Sequence, residues 1–236
     1  VPDTTSKIQF TANNTKFDTT GVQFIIGPYD DYALARAVEL RDQTGGTLTS
    51  INVGEAETEP TLRKSLAIGA DDAIRVNSFP KDSFFVAKQI AHYAKEGGYD
   101  LILMGRESID FNGGMVHGMV GELLNMPSFS PVMKLEVDGT TVKMAREIEG
   151  GKEILEAQLP LIAGCQEPIA EWKIPNMRGI MSARTKPLKV VEPVSDETQA
   201  EASSYQLPPA KGSVKLVDKD NVGELVRLLK NEAKVL

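Results

Sequence analysis

The stretch DLILMGRESIDFNGGMVHGMVGELL, residues 100–124, decides the predicted fold. It opens with an apolar run, Leu101 to Met104, closed by Gly105, which is typical of a strand buried on both faces of a parallel sheet. It ends with apolar side chains at helical spacing, so a helix is predicted to begin near Gly114. The polar turn between them lies at the carboxyl end of the strand, where a helix dipole and open N–H groups attract phosphate. Glycine pairs also precede helices that bind nothing, and this position favours a phosphate site over a plain structural loop.

The composition narrows the function classes. The chain has 236 residues, of which 41% are hydrophobic and 25% are charged, as expected for a soluble globular protein. Its net charge of −7 argues against a general nucleic-acid binder. The single cysteine, Cys165, excludes an internal disulfide and a cysteine-based metal cluster, and we expect it in the core. Neither a membrane span of ~18 apolar residues nor a signal peptide is recognised, so we expect an intracellular protein without membrane insertion.

Strand and helix signals alternate along the first two thirds of the chain. Such alternation predicts right-handed βαβ crossovers and a doubly wound, mostly parallel α/β sheet of the Rossmann-like type. An Asp138-Gly139 turn between alternating flanks then predicts a β-hairpin extension over residues 132–147. Other alternating flanks suggest a hairpin within residues 1–28. The predicted helices are 29–41, 61–68, 82–95 and 114–124, and the predicted strands outside the hairpin are 47–53, 73–76, 101–104 and 161–165.

The last third of the chain predicts an arm. Residues 192–213 are acidic and poor in large apolar side chains, which is typical of an extended linker, and residues 219–234 form an amphipathic helix. We therefore divide the chain into an α/β nucleotide-binding domain, 1–191, and an arm, 192–236. The loop 172–184 combines exposed-looking apolar residues with chain breakers. It suits either a partner surface or a loop tucked over the core.

Several motifs resemble one known family. Residues 146–151, REIEGG, are followed by Leu159-Pro160-Leu161-Ile162 and then by Glu167-Pro168. This combination resembles the signature of the electron transfer flavoprotein β subunit, and it is specific. The stretches AIGAD, residues 67–71, and GRESID, residues 105–110, resemble weaker motifs of that family. The likeness covers roughly residues 1–190 and, more loosely, the arm.

The resemblance implies a non-catalytic electron carrier. Such β subunits pair with an α subunit that holds most of a redox-active FAD, while the β subunit buries an adenine nucleotide, usually AMP. The heterodimer takes electrons from flavin dehydrogenases of the acyl-CoA type, as in fatty acid beta-oxidation, and passes them to a quinone oxidoreductase. The resemblance implies a cytoplasmic protein in a bacterium or a mitochondrial matrix protein in a eukaryote.

The resemblance also implies site residues, with no catalytic residue and no metal ligand among them. Tyr29 would approach the FAD ring, Asn52 and Val53 would border the adenine, and residues 110–116 would hold the phosphate. Met177 would be an apolar anchor for dehydrogenases, which favours the partner surface in the loop 172–184. The implied cofactor-binding residues are Gly27, Pro28, Tyr29, Asp30, Asn52, Val53, Gly105, Asp110, Asn112, Gly113, Gly114, Met115, Val116 and His117. The implied docking residues are Trp172, Met177, Arg178, Ile180 and Met181.

Three departures from the family pattern shape the expectations. Gly114-Met115-Val116 stands where the family commonly has Asn-Gln-Thr, so the phosphate would depend on backbone N–H groups and the helix dipole, with His117 as a further donor. The Asp-Gly-Asp-Thr pattern of electron-bifurcating members is missing, which favours AMP over a second FAD. The family's first, central strand would precede Val1, so we expect that strand to be missing from the sheet. An adenine-nucleotide hydrolase or ligase is the alternative, but its Gly-rich Ser loop is not found.

Overall fold

A computed structural model describes residues 1–11 and 13–236 of the chain. Helices and strands alternate through the first two thirds, and the predicted α/β class is confirmed. The helices are α1 (Pro28–Thr44), α2 (Glu59–Ile68), α3 (Ser83–Gly97), α4 (Val116–Leu124), α5 (Met177–Ala183) and α6 (Val222–Leu228). The strands are β1 (Thr49–Val53), β2 (Asp72–Val76), β3 (Leu101–Gly105), β4 (Ser128–Asp138), β5 (Thr141–Ile148), β6 (Gly151–Gln158), β7 (Leu161–Cys165) and β8 (Leu188–Val191).

The strands form two sheets in which parallel pairing dominates. One sheet has the order β1-β2-β8, and the other has the order β3-β7-β4-β5-β6. All pairs in the first sheet are parallel, as are β3 with β7 and β7 with β4. The β4-β5-β6 part is antiparallel, and its first turn contains Gly139 at φ +60°, as the Asp-Gly pair predicts. The hairpin extension is therefore confirmed.

A seam divides the two sheets. β1 and β3 are terminal strands of their sheets, and Ile90 of α3 packs against both of the hydrophobic clusters that they contribute to. Every residue of β3 is half-buried, whereas all five residues of β7 are fully buried. A strand in the middle of a doubly wound sheet is normally covered on both faces. In the described chain no strand bridges β1 and β3, so the single sheet expected from the sequence is divided here.

The core lies between the sheets and their helices. Cys165 at the end of β7 is fully buried beside Leu161, and burial raises the pKa of its thiol to about 12. This agrees with the expectation of a core cysteine. In a separate hydrophobic cluster, Leu66 of α2 is fully buried against Ala183 of α5.

Two segments differ from the sequence predictions, whereas the N-terminal segment shows short antiparallel pairing where a hairpin was predicted. Among its described residues, Phe10 bridges Phe17, Thr11 N donates to Lys16 O at 2.9 Å and Asp18 N donates to Gln9 O at 2.9 Å, and the Phe10 ring stacks on Tyr205 of the arm at 5.2 Å. The helix α5 and the strand β8 were not predicted. Chain breakers within and before α5 hide it from sequence patterns, and β8 is an edge strand of four residues.

The first part of the arm is bound to α3, although it forms no helix or strand. Gln89 is fully buried, and its side-chain amide donates to Ser195 O at 2.8 Å while its oxygen accepts from Val194 N at 2.8 Å. The Tyr93 hydroxyl donates to Glu192 O at 2.8 Å. These side chains supply hydrogen bonds to backbone groups of the arm that would otherwise be bonded to water.

Asp82 joins the start of α3 to the arm, and its replacement yields the first prediction. Its carboxylate caps Phe85 N at 2.7 Å and accepts from Gln199 N and Ala200 N at 2.6 and 2.8 Å. Burial raises its pKa, but these N–H donors together outweigh burial and hold the pKa below its ordinary value of 3.8. Asp82→Ala is expected to lower the free energy of unfolding by about 1 kcal/mol, the usual cost of a lost helix cap.

The direction of the pKa shift determines how the stabilisation by Asp82 depends on pH. Because the pKa of the folded state is depressed, the stabilisation is present above pH 3.8 and disappears as the pH falls through the folded value. Urea unfolding of the variant and of the unchanged protein should therefore converge at acidic pH. Asp196→Ala is the matched control, because Asp196 pairs with Lys81 on the surface and its side chain is 81% exposed. An equal loss of stability in both variants would contradict the capping role.

Candidate functional site

The start of α1 and the end of β3 meet at Asp30. Its Oδ1 accepts from Gly105 N at 2.8 Å, and a Cβ on Gly27 would lie 2.7 Å from Oδ2. A Cβ on Gly105 would lie 2.9 Å from Oδ1. Burial raises the pKa of the Asp30 carboxyl, the Gly105 N–H opposes this, and the charge of Asp110 adds to it. The structure thus brings together four predicted residues, Gly27, Asp30, Gly105 and Asp110. The Asp30 side chain connects the start of α1 to the end of β3.

The ring of Tyr29 lies under a guanidinium group that is held in place by a chain of polar contacts. The guanidinium carbon of Arg106 is 5.0 Å from the ring centroid. Arg106 Nη1 donates to Gln166 Oε1 at 2.8 Å, and Gln166 Nε2 donates to Glu147 Oε2 at 2.7 Å. Sequence reasoning missed this network. The available signal was that Arg106 and Gln166 each directly follow strands, and these strands pair in parallel.

The turn before α4 presents backbone rather than side chains. Asn112 and Gly114 have φ values of +50° and +58°, so both adopt the left-handed region. A Cβ on Gly113 would lie 3.4 Å from Ser83 Oγ, which places the turn beside the start of α3. The N-cap of α4 is Met115, which makes no side-chain capping bond. The N–H groups of the first helical turn therefore remain available for an anion.

The first two residues of α4 have different surroundings. Val116 packs against the buried Val120, so its side chain belongs to the core. His117 is half-buried, and its Nδ1 lies 3.3 Å from Ser128 Oγ at the start of β4. Burial lowers the pKa of His117, although a hydrogen bond to the Gly114 backbone opposes this. His117 is therefore mostly neutral at pH 7, and its role as a phosphate donor stays a prediction.

The end of β1 forms the other predicted wall. Asn52 Oδ1 accepts from Thr58 Oγ1 at 2.9 Å, so its side-chain NH2 is the group it can present to a ligand. Val53 is buried against Val76, and only its backbone can border a nucleotide. Arg75, also buried, donates to Gly54 O at 3.0 Å. None of these contacts reaches the turn before α4.

The predicted docking residues lie on the surface. Trp172 is 58% exposed, and Met177 and Met181 of α5 are 74% and 66% exposed. Ile180 is 42% exposed, and Arg178 is also exposed. The apolar side chains named for docking are thus exposed, although Ala183 of the same loop is buried, and the docking role stays a prediction. Among residues 1–11 and 13–236, no metal-binding group of three His, Cys, Asp or Glu side chains occurs. No helix in the same ranges is long and apolar enough to cross a membrane.

Comparison with known proteins identifies the family. A family model described as electron transfer flavoprotein domain matches residues 14–196. The chain is 37% identical to the electron transfer flavoprotein subunit beta of Bacillus subtilis, over 94% of this chain and 91% of that protein.

The chain belongs to the electron transfer flavoprotein family, as a β subunit.

Two further relatives show the range of this β-subunit family. The electron transfer flavoprotein subunit beta of Syntrophomonas wolfei is 29% identical over 99% of this chain and 94% of its own. The acryloyl-CoA reductase electron transfer subunit gamma of Anaerotignum propionicum is 28% identical, over 96% of this chain and 93% of its own. This β subunit is thus an electron carrier in flavin-associated transfer, working with a partner subunit, rather than a stand-alone catalyst.

Proposed function

We propose that this β subunit pairs with an electron transfer flavoprotein α subunit, binds AMP structurally and completes the surroundings of a shared FAD. In this proposal the heterodimer accepts electrons from flavin dehydrogenases of the acyl-CoA type and delivers them to a quinone oxidoreductase. Fatty acid beta-oxidation is the corresponding process. The protein would act in the cytoplasm of a bacterium or in the mitochondrial matrix of a eukaryote, and one relative, from Oryza sativa, is named as mitochondrial.

The observation that carries the AMP proposal is the uncapped start of α4. Gly113 and Gly114 place no side chain in front of it, and a Cβ on Gly114 would have only one neighbour within 4 Å, Arg106 O at 3.9 Å. A phosphate there would accept backbone N–H bonds at the positive end of the helix dipole. The residues present therefore fit a phosphate, without the hydroxyl that the family's threonine offers.

The surroundings of Tyr29 support the proposal of a shared FAD. The Tyr29 ring is fixed by Arg106 on one side and by its place in the first turn of α1. FAD, when bound, supplies the redox chemistry of the heterodimer. The role proposed for this chain is to present a rigid aromatic and cationic surface to it.

The arm supports the pairing with an α subunit. α6 exposes Val222, Leu225 and Val226 by 61%, 44% and 47%. The seven residues of α6 and the five of the π-helical turn Leu229–Ala233 that follows them form a segment of marginal stability in water, where isolated helices need roughly 12–15 residues. We propose that this apolar face packs on the α subunit.

Met177 is proposed as the anchor for dehydrogenases. Met177→Ala is expected to lower kcat/KM for electron delivery from the physiological dehydrogenase by about tenfold, because truncating a central apolar contact typically removes that much affinity. The flavin content should not change. Ile154→Ala is the matched control, since Ile154 is 75% exposed but lies on β6. Unchanged turnover of Met177→Ala would remove the proposed docking role.

The decisive experiment is nucleotide analysis of the complex purified from its native source. Acid release and chromatography should give one FAD and one AMP for each pair of different polypeptides. Two FAD would instead assign the complex to the electron-bifurcating group. A single polypeptide that turns over ATP would support the adenine-nucleotide hydrolase or ligase alternative and overturn the proposal.

A further inference from the structure

The helix α5 rests directly on the end of α2. A Cβ on Gly179 would lie only 2.2 Å from Ala67 O, a distance that no real side chain could adopt. Gly179 therefore permits backbone contact between the two helices. Ala183, at the other end of α5, is 4% exposed and packs with Leu62 and Leu66 of α2. One face of α5 is thus fixed on α2.

Lys186 caps the end of α2. Its Nζ donates to Leu66 O at 3.0 Å and to Ala70 O at 2.5 Å. The last carbonyl groups of a helix have no partner within the helix, and a cation there also complements the helix dipole. Lys186 follows α5 by three residues, so this contact attaches the end of the α5 segment to α2.

Arg63 makes the reciprocal contact. It belongs to α2, and its Nη1 donates to Ala183 O at 3.1 Å and to Lys186 O at 3.0 Å. Each of the two helical segments thus supplies a cation that caps the carboxyl end of the other. At the amino end of α5, Asn176 Oδ1 accepts from Gly179 N at 2.8 Å. A helix of only seven residues is held from both ends.

We propose that Arg63 and Lys186 are positioning residues that hold α5 preformed for docking, and this inference rests on the docking role proposed for Met177. Met177 and Met181 are one turn apart and are exposed, by 74% and 66%. A short helix owes its order to tertiary contacts. If these contacts keep α5 ordered before the dehydrogenase binds, binding does not lose affinity to the ordering of α5.

Lys186→Met tests this, because methionine keeps much of the length of the side chain and removes its donors. In the purified heterodimer, the KM for the heterodimer as electron acceptor of its dehydrogenase should rise about fivefold, since ordering a loosened segment costs binding affinity. The kcat and the flavin content should stay as they were. Amide hydrogen exchange within α5 should become at least about tenfold faster, as local opening becomes easier. Lys186→Arg should restore both values, because a guanidinium can reach the same carbonyl groups.

Two comparisons keep the outcomes distinct. Lys189→Met is the matched control, because Lys189 lies three residues further along, in β8, and is exposed. An equal rise in KM for Lys189→Met would assign the effect to surface charge and overturn the positioning role. An unchanged KM or unchanged exchange in Lys186→Met, with Met177→Ala impaired, would overturn the inference alone. If Met177→Ala behaves as the unchanged protein, the proposed docking function itself fails.

Discussion

The heterodimer carrying Gly114→Asp is expected to lose its bound AMP, with occupancy falling below about one tenth because like charges at close range repel strongly. Gly114 adopts a φ of +58° in the turn before α4, and the space at its Cβ is open. A carboxylate there would face the same N–H groups as the phosphate. At 4 Å and an effective dielectric constant near 20, one pair of unit charges repels by about 4 kcal/mol. FAD content should stay near one per dimer.

Gly114→Asn separates charge from backbone strain. Asparagine has the shape of aspartate and tolerates the left-handed region, but it carries no charge. It should retain most of the AMP. Gly139→Asp is a second control, because Gly139 has a φ of +60° in the hairpin between β4 and β5. Stoichiometric AMP in purified Gly114→Asp would show that the phosphate binds elsewhere.

Local sequence patterns predicted the elements that can be recognised from residues close together in the chain. β7 is a continuous apolar run and is fully buried, as such runs predict. The helix α3 was recognised from its apolar spacing and its Gly97-Gly98 stop, and Gly98 adopts the left-handed cap at φ +61°. These features depend on residues close together in the chain.

Features that depend on distant residues could not be predicted in this way. Gly179 looks like a helix breaker in the sequence, yet in the structure it lets α5 contact Ala67 of α2. Arg106 contacts Gln166, which lies 60 positions further along the chain, and the ring of Tyr29, which belongs to α1. The family resemblance named the turn before α4, but only the structure shows that α4 lacks a side-chain cap. Propensity carries no information about such pairings.

The second large effect is expected from the core under the candidate site. Phe85 of α3 is completely buried and packs against Val53 at the end of β1 and Val76 at the end of β2. Phe85→Ala should lower the free energy of unfolding by about 3–5 kcal/mol, because the variant loses the transfer free energy of the buried ring and also leaves a cavity in the core. Urea unfolding of the heterodimer, followed by circular dichroism, measures this loss.

Phe84→Ala is the matched control for Phe85→Ala. Phe84 is the preceding residue of the same helix, has the same side chain and is only half-buried. Its truncation should cost about 1–2 kcal/mol, because less apolar surface returns to water and no closed cavity forms. The backbone of Val53 borders the predicted adenine site, so the cavity left by Phe85 should also weaken AMP binding, whereas Phe84→Ala should leave it unchanged. Equal losses of stability in the two variants would mean that α3 does not pack on β1 as the structure describes.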